Sequence, residues 1–386
     1  MNAEPTPMRV CIATNVVPTY RVPIFRQLAE DDRFDIQILV SLPIHYSAPD
    51  AVEYLKVEES RSLNFFLSTR TSSKESSQRE RLPIPISLPW DLIKNKPDLI
   101  ISGDLGIRSL LSWGTARAAK IPIYVWSEET IFHDQNIRPL QRLIRKFLIP
   151  KVDGYVSWGL PAAEYLTEKG VDPAKIYRCA QAVNNSEWKN TSSRLSKSEI
   201  HKKFDTRGRI CLFVGRLIAR KGVLELLDAF ASLPPNVRDS NTLLIAGDGP
   251  EKSKLEEKIQ KHKLTTVKLI GNQDKNLLGP LYNAADFSVF PSLSDVWGLV
   301  VNESMACGTP VLSSIFAGAT KELIEPTGIG EPFDPNNSSI FTTLLEKWFV
   351  NPPVTSQSEV FGAVSKINFG VSVKALETLF SKHLLR

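Results

Sequence analysis

The sequence has few cysteines, and they are scattered. Cys11, Cys179, Cys211 and Cys307 lie far apart in 386 residues, and no C-x-x-C occurs. Zinc ribbons and thioredoxin-type dithiols therefore lack support. Cys11 and Cys211 sit in apolar, strand-like runs, where buried reduced thiols are expected. No run of about 18 apolar residues is present to span a bilayer as a helix. Met1–Met8 is polar and has no apolar leader core, so the cytosol is the expected compartment. Charge of one sign is also scarce. Lys plus Arg number 47 against 42 Asp plus Glu, a net +5, too mild to imply nucleic acid. The Walker glycine pattern is missing. Gly247-Asp248-Gly249-Pro250 follows a strand-like run but lacks the third glycine of G-x-G-x-x-G. No D-x-D occurs, which weakens any reading built on paired aspartates holding a divalent metal.

What is present is an ordinary globular composition, 42% apolar and 23% charged, in a chain long enough for two or three domains. Short apolar runs alternate with helical periods. The first set of strands is Arg9–Thr14, Phe34–Val40, Asp98–Ser102, Ile121–Ser127 and Val152–Trp158. Helices are expected over Val22–Glu30, Ile107–Lys120 and Pro139–Ile149. Ser68–Glu80 is Ser-rich and has no apolar residue, so it reads as a mobile surface loop. Ala180–Ser193 is polar and poor in periodicity, and reads as a break. A second set of strands follows: Arg209–Gly215, Thr242–Ala246, Val267–Ile270, Phe287–Phe290 and Pro310–Ser313. Val371–Leu385 reads as a closing helix. Strand–helix alternation on both sides of one linker predicts an α/β protein with two doubly wound parallel-sheet domains. The expected domains are 1–183 and 184–370, with the final helix, 371–386, returning to the first. In such folds ligands sit at the carboxyl ends of the strands. The natural site is the cleft that two such domains face.

Four constellations carry chemistry. In Phe213–Gly222 (FVGRLIARKG) a strand ends at Gly215, a turn carries Arg216, and Lys221-Gly222 opens a helix. Two cations beside a helix N-terminus suit a pyrophosphate. The plainer reading is a solvated basic turn. In Asp286–Leu312, a buried strand is followed by a loop with Asp295 and a helix with Glu303. Both carboxylates can face one pocket and accept bonds from a ribose diol or a sugar. The plainer reading is a helix cap and a solvent-facing Glu. Val125–His133 (VWSEETIFH) places Glu128 and Glu129 just past a strand end, where adjacent carboxylates are costly unless solvated or used. In Arg138–Lys151, Leu140, Leu143, Ile144, Phe147 and Leu148 fall on one helical face. Five cations and no acid flank them, which suits an anionic lipid surface or, more plainly, a packed helix with a solvated basic back.

Taken together, G-R-x(4)-K-G, then G-D-G-P, then P-S-x(2)-D-x-W-G-L-x(3)-E-x-M-A-C-G-x-P-V resembles the GT-B glycosyltransferases of family 4 (glycosyl transferases group 1). The match covers roughly residues 205–330 in the right order and spacing, and is looser before that. The resemblance implies two Rossmann-like domains and a retaining, metal-independent transfer from a nucleotide-sugar. Arg216 and Lys221 would hold the diphosphate, Glu303 the ribose, and Asp295 the donor sugar. Gly215, Asn272, Trp297, Gly298 and Leu299 would complete the donor site, with the nucleobase against Gly271-Asn272-Gln273. Two departures stand out. The first acid of the E-x(7)-E motif is Asp295, shorter than Glu. The N-terminal loop, Val16–Pro23, lacks the glycine pair found in many members and offers Arg21 as an acceptor or phosphate contact. Many members carry a His near the end of the strand before Ser127. Here Glu128 and Glu129 occupy that place, with His133 a few residues on. Glu128 and His133 are therefore assigned to the acceptor and Glu129 to proton removal.

The expected reaction moves a sugar onto an acceptor hydroxyl in polysaccharide or glycolipid synthesis. The expected co-substrate is a UDP-sugar ahead of a GDP-sugar, with no other cofactor, no metal and no nucleic acid. The acceptor would be a glycan or lipid-linked glycan, and 138–151 would touch the inner face of a membrane. The rivals are a sugar-nucleotide epimerase of the same architecture and a non-catalytic nucleotide-sugar binding protein.

Overall fold

The computed structural model describes residues 6–69, 78–134 and 137–384. Two compact units result. The first comprises residues 1–158, 162–180 and 369–386, and the second 159–161 and 181–368.

The first unit is built on a seven-stranded parallel sheet in the order β3-β2-β1-β6-β7-β8-β9. Its strands are β1 (Met8–Thr14), β2 (Phe34–Val40), β3 (Lys56–Glu59), β6 (Leu99–Gly103), β7 (Ile123–Ser127), β8 (Gly154–Trp158) and β9 (Ile176–Cys179). Both faces are covered, so the central strands are apolar throughout. Val10, Ile12, Ile36, Ile38, Leu99 and Ile101 pack on one side with Phe25 and Leu28 of the helix Val22–Ala29 and with Leu376, Leu379 and Phe380 of the closing helix Phe369–Leu384. Cys11, Ala13, Ile100, Ile123, Val125 and Tyr155 face the other side, against Leu92, Ala116, Ile144 and Leu148. This alternation is the period of two that a strand imposes. Separately, β4 (Ser62–Thr69) and β5 (Gln78–Pro85) form an antiparallel pair in register from Ser62↔Pro85 to Thr69↔Gln78. The loop expected over 68–80 is thus shortened at both ends by strand pairing, and its remainder, 70–77, lies outside the described residues. Alternating Leu63, Phe65, Leu82 and Ile84 gave the sequence enough β-pattern to pair without burying both faces.

The second unit carries a six-stranded parallel sheet in the order β12-β11-β10-β13-β14-β15. The strands are β10 (Ile210–Val214), β11 (Thr242–Ala246), β12 (Val267–Gly271), β13 (Phe287–Phe290), β14 (Val311–Ser314) and β15 (Gly330–Phe333). Ile210, Leu212, Leu244 and Val311 face Leu281, Val301 and Met305, while Cys211, Phe213, Leu243 and Ile245 face Leu226, Phe230, Phe341 and Trp348. The expected break at 180–193 is corrected in part. Asn185–Ser192 is a helix, its amide groups capped by Asn184, whose side chain accepts from the Glu187 N–H at 3.1 Å. Trp188 is its buried anchor. One apolar side chain every two turns leaves too weak a period to read.

The four cysteines are free and buried. Among the described residues no helix is long and apolar enough to cross a membrane.

Both sheets reverse strand order next to their first strand, at β1/β6 and β10/β13. Loops leaving those strands diverge to opposite faces, opening a crevice at the carboxyl edge. Two glycines let the second unit's loops close around its crevice. Gly222 has φ +68, and a Cβ there would lie 1.9 Å from the Pro291 carbonyl oxygen; Gly298 has φ +101, and its Cβ would lie 2.4 Å from the Phe290 ring. We expect Gly222→Ala to lower the thermal midpoint by an amount matching about 2–4 kcal/mol, since both the left-handed backbone and backbone crowding oppose a methyl group. Gly114→Ala is the control with opposite sign. Gly114 lies in the helix Ile107–Ala119 with open space around it, and alanine should add about 0.5–1 kcal/mol. Calorimetry on the two variants checks the pair.

Candidate active site

In the second unit, four loops leave the carboxyl ends of β10 to β13 and are tied together by their backbones. Gly215 N–H donates to the Ala246 carbonyl at 3.0 Å, Leu217 N–H to that of Asp248 at 2.9 Å, and Leu293 N–H to that of Arg220 at 2.8 Å. The Ser292 hydroxyl also donates to the Arg220 carbonyl, at 3.0 Å. These bonds place the Lys221 ammonium against the Asp295 carboxylate, across the β10/β13 crevice. Lys221 also lies 5.0 Å from the Phe290 ring, and Arg220 reaches Asp295 at 3.7 Å. Asp295 is buried, held by its own N–H donating to the Phe316 carbonyl at 3.1 Å. Arg216 is exposed on the same loop as Lys221 and makes no ion pair among the described residues.

Beyond Asp295 the chain turns through Trp297 and Gly298 into the helix Leu299–Ala306. Trp297 is buried, and its indole N–H donates to Asn302 at 2.7 Å, which fixes the turn. Glu303 lies one turn into this helix. The Tyr282 hydroxyl donates to its carboxylate at 3.0 Å. Desolvation pushes the Glu303 carboxyl up to about 7, opposed by the Tyr282 bond and by Lys275. Asn272 is exposed on the loop after β12, beside Gln273, whose amide donates to the Ile270 carbonyl. Lys221 and Asp295 are thus in contact, and Gly215, Arg216, Asn272, Trp297, Gly298, Leu299 and Glu303 lie on the surrounding loops and helix start. Tyr282 escaped sequence reading, because a buried Tyr inside a helix looks like core until its hydroxyl partner is known.

The first unit has its own arrangement at the ends of β1, β6 and β7. Arg21 is buried, stacked 3.9 Å from the Trp126 ring and 4.6 Å from that of Trp158, and it donates to Glu128. Desolvation pushes its guanidinium down to about 10. Glu129 accepts from the Ser127 hydroxyl at 2.6 Å and from Arg145 at 3.2 Å. The adjacent carboxylates are therefore half-buried, and each has its own arginine. The sequence reading of Arg145 as part of a solvated basic back is corrected. It is buried, bonded to Asp134 at 2.9 Å as well as Glu129. The apolar stripe of that helix, Pro139–Leu148, is also divided. Ile144 and Leu148 are buried, whereas Leu140, Leu143 and Phe147 are exposed by 64%, 70% and 40%. His133 lies in the short helix Ile131–Asp134, and its side chain is outside what the structure describes.

The two parallel-sheet units give the chain the fold of the GT-B glycosyltransferases. A solved structure of Anabaena HepE in complex with UDP is similar over 97% of this chain and 100% of that one, with a TM-score of 0.74 and 17% identity. The lipopolysaccharide outer core galactosyltransferase WaaB gives 0.71 at 15% identity, over 97% of this chain and 100% of that chain. Residues 196–363 match the model of the family described as glycosyl transferases group 1. Relatives include D-inositol 3-phosphate glycosyltransferase 2 of Catenulispora acidiphila, 30% identical over 41% of this chain and 38% of that protein. Another is alpha-D-kanosaminyltransferase of Streptomyces kanamyceticus, 26% identical over 59% of each. The chain thus spans less than two thirds of the length of these curated relatives.

The position of Glu303 has a measurable cost. Its folded pKa, about 7, lies above the ordinary 4.5, so between those values the folded state holds the proton more tightly. Its contribution to stability is full below about 4.5 and is lost as pH rises through about 7. Glu303→Gln should therefore raise the thermal midpoint relative to the natural chain, by a margin that grows from pH 5 to pH 8. A margin that shrinks over that range would contradict the assignment.

Proposed function

We propose that this chain is a glycosyltransferase that moves a sugar from a nucleotide-sugar to an acceptor hydroxyl in polysaccharide or glycolipid synthesis. The observation that carries the reading is the Lys221–Asp295 contact across the β10/β13 crevice, with Glu303 one turn beyond on the next helix. Arg216 and Lys221 bind the diphosphate and stabilise its charge as it departs. Glu303 accepts from the ribose hydroxyls, and Asp295, exchanging its bond to Lys221 for one to a sugar hydroxyl, orients the donor sugar. Asn272 flanks the base. A UDP-sugar is the preferred donor, supported by the UDP found in the HepE structure. Retention of configuration and metal independence are carried over from the motif resemblance. In the first unit Arg21 and Glu128 serve the acceptor and Glu129 its proton.

The test is isothermal titration with UDP and uridine. Lys221→Ala should weaken UDP binding by about tenfold or more and leave uridine nearly unchanged, because a charge-assisted contact to phosphate is lost. Equal loss for both ligands would remove Lys221 from the phosphate site.

We also propose peripheral membrane contact through the helix Pro139–Leu148. Its exposed Leu140, Leu143 and Phe147 are accompanied by exposed Arg138, Arg142 and Lys146. Each cation near an anionic bilayer contributes about 1 kcal/mol. Changing Arg138, Arg142 and Lys146 together to Gln should release the protein from phosphatidylglycerol vesicles at low salt, with UDP binding retained. Arg145 is left intact because it is buried. Co-sedimentation is the measurement, and a natural chain that stays in the supernatant at low salt would sink the proposal.

A further inference from the structure

The first unit contains a cavity of about 440 Å³ whose walls are helical, in the size range of small-molecule sites. One wall is the helix Pro139–Leu148 with the residues just beyond it; the other is the end of the helix Leu160–Glu168. Arg142, Arg145, Lys146 and Ile149 line it from the first side, at the i, i+3, i+4 and i+7 spacing that shares one helical face. Tyr165 and Lys169 line it from the second, and Asp134 is the one acid of the lining among the described residues.

That acid is already spent. One oxygen of Asp134 accepts from Arg145 and from the Tyr165 hydroxyl, both at 2.9 Å, and the other meets Lys169 at 2.6 Å. Arg145 also meets Glu129 at 3.2 Å. Arg142 and Lys146 are exposed and make no ion pair among the described residues. They lie one helical turn apart, where like charges repel, and they do so over a concave surface, which focuses their field. Counting Glu129, four cations face two carboxylates, and two positive charges remain uncompensated. A carboxylate ligand brings one charge and two oxygens in a plane. A phosphomonoester brings nearly two charges and three acceptor oxygens, enough for the fork of an arginine and the point charge of a lysine together. The apolar walls at Ile137, Ile149 and Pro150 suit the carbon chain of its ester.

We infer that this groove is a phosphomonoester site, with Arg142 and Lys146 gripping the phosphate oxygens. Asp134 holds Lys169 and Arg145 in place beside them and takes no part in the grip. The ester is either a soluble polyol phosphate or the headgroup of a lipid of the phosphatidic acid type. The inference goes beyond the vesicle contact proposed above, because the site saturates at one ligand per chain and a soluble ester suffices to fill it. It shares no residue with the donor site.

The experiment is isothermal titration on the full chain at low salt, with UDP present at saturation. Glycerol 3-phosphate should bind at one site per chain, at least about tenfold more tightly than glycerate, and glycerol should give no heat. Arg142→Gln with Lys146→Gln should weaken glycerol 3-phosphate by about tenfold or more, at least the scale of one hydrogen bond to a charged group. Both positions are exposed and Gln is a good helix former, so far-ultraviolet circular dichroism should stay unchanged. Lys120→Gln with Lys175→Gln removes the same charge from exposed positions outside the lining. Its effect should stay within about twofold, since separated surface charges are largely screened. Dihexanoyl-phosphatidic acid below its micelle concentration tells the sources apart. Tighter binding than glycerol 3-phosphate supports the site with a lipid as its ligand, and weaker binding supports it with a soluble ester. Equal losses in the two double variants would mean diffuse attraction and overturn the inference. So would the absence of saturable binding, or glycerate bound as tightly as glycerol 3-phosphate. If phosphatidylglycerol vesicles bind the chain and glycerol 3-phosphate does not, only this inference falls. If glycerol 3-phosphate binds through Arg142 and Lys146 and UDP does not bind, the donor-site reading falls and this one stands.

Discussion

A guanidinium removed from water costs several kcal/mol unless an anion and further hydrogen bonds meet it. Among the described residues, the first unit removes three, at Arg21, Arg108 and Arg145. Much of the arrangement at the ends of its strands follows from that. Glu128 and Glu129 are adjacent in sequence and would repel each other, yet each is drawn to a different arginine. Asp104 takes an unfavourable backbone conformation and pairs with Arg108. Trp126 and Trp158 supply π-faces to Arg21 where a second carboxylate is missing. The result is a polar floor with little net charge, which holds side chains rigidly.

The second unit solves a related problem with fewer charges. Lys221 and Asp295 pair with each other, so opposite charges meet across the crevice. Among the described residues Glu303 has no cation in contact; it relies on a tyrosine hydroxyl, and its carboxyl is hard to ionise. The glycines at 222 and 298 permit the close backbone approach that brings these groups together. A rigid scaffold that carries one destabilised carboxylate is the usual division of labour between fold and site.

The parallel strands of both sheet centres were legible because burial on two faces demands continuous apolar runs. Phe34–Val40, Thr242–Ala246 and Phe287–Phe290 have in the structure the bounds that the pattern predicts. Of the four edge strands of the parallel sheets, Val267–Gly271 was legible as Val267–Ile270 and the other three were not. Lys56–Glu59, Ile176–Cys179 and Gly330–Phe333 each pair on one side only, so their sequences carry fewer apolar residues and look like loops. The helix Asn185–Ser192 escaped for the same reason, with only Trp188 as a large apolar anchor.

The sequence alone determined the fold class and set Arg216, Lys221, Asp295 and Glu303 on the loops and helix that follow β10 and β13, because turn glycines, strand ends and helix starts are short-range features. It carried no sign that Arg21 would meet Glu128 across 107 residues, that Arg145 would leave the surface, or that Tyr282 would address Glu303. Nor did it show Asp104 and Arg108 as a pair. Those were decided by the tertiary structure, since the state of a buried charge depends on which distant groups the sheet order brings within reach, and no local pattern encodes that.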